Sequence, residues 1–263
     1  MTGALEDLAL ALQLVDVADS ITVSRFLADD LVVDTKPDLT PVSEADTAVE
    51  QAIRDRLAVR RPGDAVVGEE YGTSQPPGSS RRWIIDPIDG TKNYVRGVPV
   101  WATLLALEHD RELTVGVVSA PALHRRWWAC RGAGAYMTDG LAAAPRELRV
   151  SAVGALADAQ LCISGLGGWD GSVGLEAMLA LARRCWRTRG FGDFWGYMMV
   201  AEGTAEIVCE PEVSLWDLAA AQVIVEEAGG RFTDLGGVQT SDGGDAIATN
   251  GLLHDAALAI IGR

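Results

Sequence analysis

The sequence predicts a layered α/β fold, and three observations support this. Residues 4–28 and about 43–59 carry apolar side chains at three- and four-residue steps, which indicates two amphipathic helices. From there to about residue 150, short apolar runs alternate with turn residues, a pattern typical of strands. The rest of the chain alternates helical and strand patterns, and this combination favours sheets covered by helices.

The elements follow one another in a clear order. The first helix aligns Leu5, Leu8 and Leu12 on one face, and the second ends before a Pro-Gly pair. The stretch between them, residues 34–41, is rich in turn residues and is expected to be a connector, although its Lys36 and its acids could reach a metal site. Strands are expected at residues 65–68, 82–85, 101–108, 113–119, 126–130, 161–164, 186–189, 205–209, 231–233 and 246–248. Further helices are expected at residues 175–185, 193–202, 217–228 and at the end of the chain.

Composition excludes several classes of protein. The 263 residues are 48% hydrophobic and 22% charged, enough for one large domain or two small ones. A net charge of −15 argues against a nucleic-acid or anionic-membrane surface, which needs clustered Lys and Arg. No apolar run reaches membrane-spanning length and no signal peptide precedes the first helix, so we expect a cytoplasmic protein without a membrane partner. The four cysteines lack zinc-binding spacing, and the three histidines lie in no triad-like context.

The stretch Trp-Ile-Ile-Asp-Pro-Ile-Asp-Gly-Thr at residues 83–91 carries the strongest chemical signal. We expect a buried strand that runs into a turn at Asp86 and Pro87, with carbonyls free to face a ligand. Two carboxylates three residues apart, Asp86 and Asp89, would then face the same region. Carboxylates and carbonyls suit a hard cation such as Mg²⁺. The alternative is a surface turn whose acids only cap the following helix.

Two other acidic segments make the metal interpretation more attractive. A strand ends in Glu69 and Glu70, where a solvated loop is the alternative. Asp217 follows a Trp at the head of an apolar helical run, where a simple N-cap is the alternative. Each alternative is reasonable by itself, but the three segments together favour a shared metal site.

These segments resemble the signature of the inositol-monophosphatase-like family. The matching motifs are GEE at residues 68–70, WIIDPIDGT at 83–91, WD at 216–217 and EAGG at 227–230. The resemblance covers nearly the whole chain. It implies an αβαβα sandwich, usually dimeric, and a Mg²⁺-dependent, lithium-sensitive phosphomonoesterase activity on a small-molecule phosphate ester.

The resemblance also implies a set of metal ligands. Glu69, Asp86 and the carbonyl of Ile88 should hold a first Mg²⁺, and Asp86, Asp89 and Asp217 a second. A third, weaker ion would depend on Glu69 and water, which gives two to three Mg²⁺ per site. Such ions can orient a water and stabilise both the attacking and the leaving oxygen. The expected subdomains are residues 1–145, with most of these ligands, and residues 146–263, which complete the site.

Catalytic and substrate residues are carried over in the same way. Thr91, helped by Asp46, is the expected partner of the nucleophilic water, with Glu69 as the third catalytic residue; helix capping is the alternative for Asp46. The backbone amides of Gly90 and Thr91 should bind the phosphate. Further substrate contacts are expected from Ile88, Asp89, Trp101, Arg189, Asp193, Glu210 and Asp217.

The predicted pocket differs from that of the inositol phosphatases, which carry small, uncharged residues at the position of Asp193. Acids at Asp193 and Glu210 would suit a cationic substrate, with Trp101 as a wall for a heteroaromatic ring. Segments around these residues are similar to the histidinol-phosphatase branch of actinobacteria, which implies L-histidinol phosphate as substrate. Alternatives are that Asp193 caps its helix and Trp101 belongs to the core, that the substrate is an inositol or other sugar phosphate, or that the protein only binds partners.

Overall fold

The computed structural model describes residues 2–37, 39–141, 144–170 and 174–262. The α-helices in these ranges are α1 (Thr2–Arg25), α2 (Glu44–Arg60), α3 (Thr91–Val95), α4 (Leu175–Arg184), α5 (Asp193–Ala201), α6 (Leu215–Glu227) and α7 (His254–Ile261). The strands are β1 (Val33–Thr35), β2 (Pro41–Ser43), β3 (Ala65–Gly68), β4 (Gly72–Ser74), β5 (Arg81–Asp89), β6 (Ala102–His109), β7 (Glu112–Ala120), β8 (Arg125–Cys130), β9 (Ala135–Thr138), β10 (Arg146–Glu147), β11 (Gln160–Cys162), β12 (Arg187–Arg189), β13 (Ile207–Glu210), β14 (Arg231–Thr233) and β15 (Ala246–Thr249). None of the helices in the described ranges has the length and apolar character needed to cross a bilayer.

Two sheets organise these elements. The first has the strand order β10-β9-β8-β7-β6-β5-β3-β4 and is antiparallel except between β3 and β5. The second has the order β12-β11-β13-β15-β14, and β11 runs parallel to both β12 and β13. After α1 and α2, strands dominate from residue 65 to about residue 150 and alternate with helices afterwards, as the sequence predicts.

The packing of buried apolar side chains shows which helices cover each face of the two sheets. On β5, Trp83 and Ile85 pack with α1 and α2, whereas Ile84 packs on the opposite face with α5 and α6. The same two helices cover Val208 and Phe232 of the second sheet. The other face of that sheet packs against α4 and α7. The order is thus helix, sheet, helix, sheet, helix, which confirms the expected αβαβα sandwich.

The central helix layer joins the two sheets in one apolar cluster. The α6 helix belongs to the second half of the sequence but packs on β6, β7 and β8 of the first sheet. The two halves of the sequence share this core. The division into subdomains at residues 145 and 146 therefore remains a prediction.

Three local expectations are wrong. The strand β5 does not end in a turn at Asp86 and Pro87: it continues to Asp89 with an irregular register against β6. The carbonyl of Pro87 is engaged by the hydroxyl of Thr103, which donates to it over 2.8 Å. Residues 34–41 form more than a connector, because β1 and β2 pair as a small hairpin. Asp38, one of the acids predicted there, lies outside the described residues.

Gly116 on β7 tests how closely α6 packs on the first sheet. A Cβ at this position would lie 2.5 Å from the carbonyl oxygen of Ala220. We expect Gly116→Ala to destabilise the protein by about 1–3 kcal/mol, because backbone atoms must move apart. Denaturant unfolding followed by circular dichroism measures this change. Gly63→Ala is the control, since a Cβ there meets nothing within 4 Å, and an equal loss in both variants would contradict the close packing.

Candidate functional site

The acidic residues predicted from the sequence lie at or near the ends of strands and in the first turns of helices. Gly68 of β3 pairs with Ile85 of β5, so the residues that follow, Glu69 and Asp86, lie side by side. In the second sheet, Glu210 is the last residue of β13. The first turns of four helices meet in this region. Thr91 of α3 contacts Asp46 of α2, Asp89 accepts from the N–H of Phe194 in α5, and Asp217 of α6 lies with Asp86 and Asp89.

Three carboxylates converge closely enough to share a metal ion. Ligand atoms of Asp86, Asp89 and Asp217 all lie within 4.8 Å of one another. Asp86 is 1% exposed, and its Oδ1 has no hydrogen-bond donor among the residues that the structure describes. A buried carboxylate oxygen without a donor is costly unless a cation binds it. An all-oxygen set of this kind fits a hard divalent cation.

The pKa shifts of the three carboxylates also indicate a site that binds a cation. Burial raises the pKa of Asp86 well above its usual range, and the nearby Glu69, Asp89 and Asp217 raise it further. Burial also raises the pKa of Asp89, with contributions from Asp193 and Asp217. The pKa of Asp217 is raised by burial as well, although the backbone N–H of Ser214 opposes this shift. Full ionisation of the cluster therefore requires compensating positive charge.

Glu69 is held by a lysine. The Lys36 ammonium donates to Glu69 Oε1 at 2.6 Å and to Glu70 Oε1 at 2.7 Å. Burial lowers the pKa of Lys36, but these two hydrogen bonds outweigh that effect and the net shift is upward. Burial raises the pKa of Glu70 to about 7. Lys36 therefore reaches the predicted metal ligand Glu69, as the sequence analysis allowed.

Thr91 and Asp46 meet as predicted. The Thr91 hydroxyl lies 3.2 Å from Asp46 Oδ1 and 2.9 Å from the carbonyl oxygen of Ile88. Asp46 also caps α2, because its Oδ2 accepts from the backbone N–H of Ser43 at 2.8 Å. Capping and contact with Thr91 thus occur together, one on each carboxylate oxygen.

Gly90 occupies a position that excludes other residues. Its φ is 82°, in the left-handed region that favours glycine. A Cβ there would lie 2.9 Å from the carbonyl oxygen of Val100 and 3.3 Å from Asp193 Oδ2. The turn between β5 and α3 therefore approaches Asp193 directly.

Asp193 and Glu210 form a second acidic pair beside the first cluster. Asn93 Nδ2 donates to Asp193 Oδ2 at 3.0 Å. Ser164 donates to Glu210 Oε1, and its Oγ accepts from the backbone N–H of Asp193 at 2.9 Å. Burial raises the pKa of Glu210 to about 8, and the neighbouring Asp193 contributes. Asp193 itself has a φ of 51°.

The sequence interpretation missed the residues that hold this pair. Asn93 follows the Asp-Gly-Thr motif by two positions, and Ser164 follows the buried strand β11. Tyr197 donates to Glu210 Oε2 at 3.0 Å. Polar residues just beyond a buried strand or motif were the available signal, but nothing in the sequence gives their partners.

Two predicted substrate residues lie in less suitable places. Trp101 is 0% exposed and packs against Phe26 and Tyr94, with ring centroids 5.3 and 5.0 Å away. This agrees with the core alternative and not with an aromatic wall. Arg189 is exposed at the end of β12, and its guanidinium donates to the carbonyl of Thr188.

A large cleft lies elsewhere and does not mark this site. It measures about 1130 Å³ and is lined by residues such as Arg82, Glu108, Gln222 and Gln239. None of the predicted site residues lines it. Converging carboxylates with an oxygen that lacks a donor are more specific evidence for chemistry than volume, so the site is assigned to the acidic cluster.

Comparison with known proteins decides the family. The sequence model of the inositol monophosphatase family matches residues 5–261. This chain belongs to that family. A histidinol-phosphatase of Mycobacterium tuberculosis is 56% identical over 254 residues, which cover 96% of each chain. A histidinol-phosphatase of Streptomyces coelicolor is 54% identical and covers 100% of this chain and 99% of the relative.

A solved structure supports the fold assignment. The inositol monophosphatase of Thermotoga maritima superimposes with a TM-score of 0.85 at 28% identity, covering 97% of this chain and 96% of that chain. This chain therefore shares its layered sandwich with a family member of low sequence identity.

We expect Asp86→Asn to stabilise the metal-free protein and, at the same time, to abolish its stabilisation by Mg²⁺. Asparagine resembles the protonated acid, so in EDTA we expect the variant to have a higher melting temperature than the wild type at pH 8. Adding MgCl₂ should raise the melting temperature of the wild type but not of the variant. Activity should fall by more than the ~10–100-fold typical for loss of an outer-shell partner of a metal. Thermal denaturation and phosphate release measure both effects, and a wild-type response to MgCl₂ in the variant would contradict the assignment.

Proposed function

We propose that this chain is a Mg²⁺-dependent phosphomonoesterase that hydrolyses L-histidinol phosphate to L-histidinol and phosphate, a step of histidine biosynthesis. The observation that carries the proposal is the presence of two adjacent acidic groups. Asp86, Asp89 and Asp217 suit metal ions, and Asp193 with Glu210 suits a cationic substrate. Identity of 56% and 54% to two relatives named histidinol-phosphatase supports the substrate.

Magnesium is the proposed cofactor because carboxylates and a carbonyl form the predicted ligand set. Glu69, Asp86 and the Ile88 carbonyl would hold one ion, and Asp86, Asp89 and Asp217 another. We propose two to three ions per site, the third depending on Glu69. When bound, such ions lower the pKa of a coordinated water and neutralise charge on the phosphoryl oxygens.

The chain's own residues would handle the proton. The Thr91 hydroxyl accepts a hydrogen bond from the attacking water, and Asp46, 3.2 Å from that hydroxyl, takes up the proton through it. Burial raises the pKa of Asp46, which favours its role as an acceptor. The backbone amides of Gly90 and Thr91 bind the phosphate. The water oxygen forms a bond to phosphorus as the bond from phosphorus to the ester oxygen breaks. The ester oxygen leaves with the organic part and takes up a proton from solvent, which gives L-histidinol.

Substrate recognition would rest on charge. L-Histidinol phosphate carries an ammonium group close to its phosphate ester. Asp193 lies against Gly90 of the proposed phosphate-binding turn, so an ammonium bound by Asp193 sits within reach of a phosphate bound there. Glu210, buried beside Asp193, would ionise when this cation enters. An uncharged polyol offers no such compensation, which gives the site a reason to prefer the cationic ester.

The remaining features of the proposal concern assembly. We propose a homodimer that acts in the cytoplasm, with no nucleic-acid or membrane partner. Residues 1–145 and 146–263 are its proposed subdomains, and Arg189 is a proposed substrate contact. Trp101 is not retained as a substrate contact, since it has no exposed surface.

A substrate panel tests the proposed function. Phosphate release is measured with L-histidinol phosphate, inositol-1-phosphate and glycerol phosphate, with MgCl₂ or with EDTA. We expect kcat/KM to be at least about 100-fold higher for L-histidinol phosphate, since two charge-assisted contacts are each worth roughly tenfold or more. Equal or faster turnover of inositol-1-phosphate would contradict this choice and support an inositol or sugar phosphatase.

Asp193→Asn tests the recognition of the cation. Asparagine tolerates the left-handed backbone at this position, which has a φ of 51°, and it keeps an oxygen for Asn93. We expect KM for L-histidinol phosphate to rise about tenfold, the value of one hydrogen bond to a charged group. KM for glycerol phosphate should change little. An equal rise in KM for both substrates would show that Asp193 has a structural role.

A further inference from the structure

We propose that Glu50 is a positioning residue that fixes the metal ligand Glu69. This inference rests on the proposed function only in that Glu69 binds a metal ion. Glu50 lies on α2, nineteen positions before Glu69 in the sequence, and would touch neither the metal nor the substrate. Its role would be to set the turn from which Glu69 projects.

The contacts of Glu50 are directed at that turn. Its Oε2 accepts from the backbone N–H of Glu70 at 2.7 Å, and its Oε1 accepts from the N–H of Tyr71 at 3.2 Å. The residue is 0% exposed. Two backbone donors on the turn that follows β3 thus point at one buried carboxylate from a different element.

Arg54 completes this arrangement from the next turn of α2. It donates through Nε to Glu50 Oε1 at 2.7 Å, which balances the buried charge. It also donates to the carbonyl of Gly72 and, at 3.1 Å, to Ser74 Oγ. The two side chains together therefore bind both ends of the segment from residue 70 to residue 74.

Gly68 indicates how closely Glu50 approaches. A Cβ on Gly68 would lie 2.0 Å from Glu50 Oε1 and 2.3 Å from its carboxyl carbon. Gly68 directly precedes Glu69, and only glycine at this position leaves room for the Glu50 carboxylate. The backbone N–H of Glu69 itself donates to the carbonyl of Ile85 at 3.2 Å, so its position is fixed between β5 on one side and Glu50 on the other.

A carboxylate is required here for a geometric reason. Both of its oxygens accept, and both face backbone donors. In Glu50→Gln one acceptor becomes an NH₂ group that meets an N–H of the turn, so a donor faces a donor and the turn must shift. Outer-shell residues that orient metal ligands typically contribute about 10–100-fold in metal affinity.

The test measures metal binding without substrate. Binding of Mn²⁺, a hard cation that suits carboxylate ligands, is followed by the loss of its free electron paramagnetic resonance signal. We expect Glu50→Gln to raise the Kd of the Glu69-dependent site at least about tenfold, while kcat at saturating metal changes less than the Kd does. Ile53→Val is the matched control: Ile53 is a buried residue of α2 in the apolar cluster, and its truncation should leave the Mn²⁺ affinity unchanged.

A double-variant comparison identifies the route of the effect. If Glu50 acts through Glu69, adding Glu50→Gln to Glu69→Gln should weaken Mn²⁺ binding no further. Should Glu50→Gln fail to fold, Glu50→Asp is the second variant: it keeps the charge for Arg54 but withdraws the carboxylate by one methylene, and the same loss of affinity is expected.

Two results would overturn the inference. The first is that Glu50→Gln or Glu50→Asp binds Mn²⁺ as tightly as Ile53→Val does. The second is that Glu50→Gln weakens Mn²⁺ binding by the same factor in the wild-type protein and in the Glu69→Gln variant. A wild-type protein that hydrolyses phosphate esters without binding Mn²⁺ or Mg²⁺ would overturn the proposed metal mechanism as well. Turnover of a different ester, with the affinities as expected, would affect the proposed substrate alone.

Discussion

The carboxylates of Asp86, Asp89 and Asp217 repel one another, and the surrounding fold is organised to hold them together. Asp86 is almost fully buried, one of its oxygens lacks a donor among the described residues, and Glu69, Asp89 and Asp217 raise its pKa. Such a cluster lowers the stability of a folded chain unless cations enter it. The fold must therefore hold these groups together rigidly, and bound metal would compensate the cost.

Backbone N–H groups at the N-termini of helices hold several of these carboxylates in place. Asp46 and Asp217 each accept from the backbone N–H at the start of their helix, at 2.8 and 2.7 Å. Asp89 accepts from the N–H of Phe194 in the first turn of α5, at 2.6 Å. The positive ends of several helices thus face the cluster and offset part of its negative charge. The sheets provide strands that end in the same region, and the shared central layer fixes the two halves relative to each other.

Sequence reasoning reached the site because its signals are local. The periodicity of apolar residues predicted the helices, and the Asp-Pro-Ile-Asp-Gly-Thr motif predicted the acids of β5. The failures depend on distant partners. Trp101 is buried against Phe26, just beyond α1. The strand β5 continues past Pro87, whose carbonyl accepts from Thr103 on β6. Glu50 reads as an ordinary helix acid four residues before Arg54, and only the folded chain brings its carboxylate to the turn beyond β3.

Anomalous diffraction from crystals soaked in Mn²⁺ would show whether metal ions bind around Asp86. We predict two anomalous peaks roughly 3.5–4 Å apart, with the Asp86 carboxylate between them, Glu69 at one ion and Asp217 at the other. Well-occupied peaks that avoid Asp86, or no peak within this acidic cluster at saturating Mn²⁺, would contradict the account.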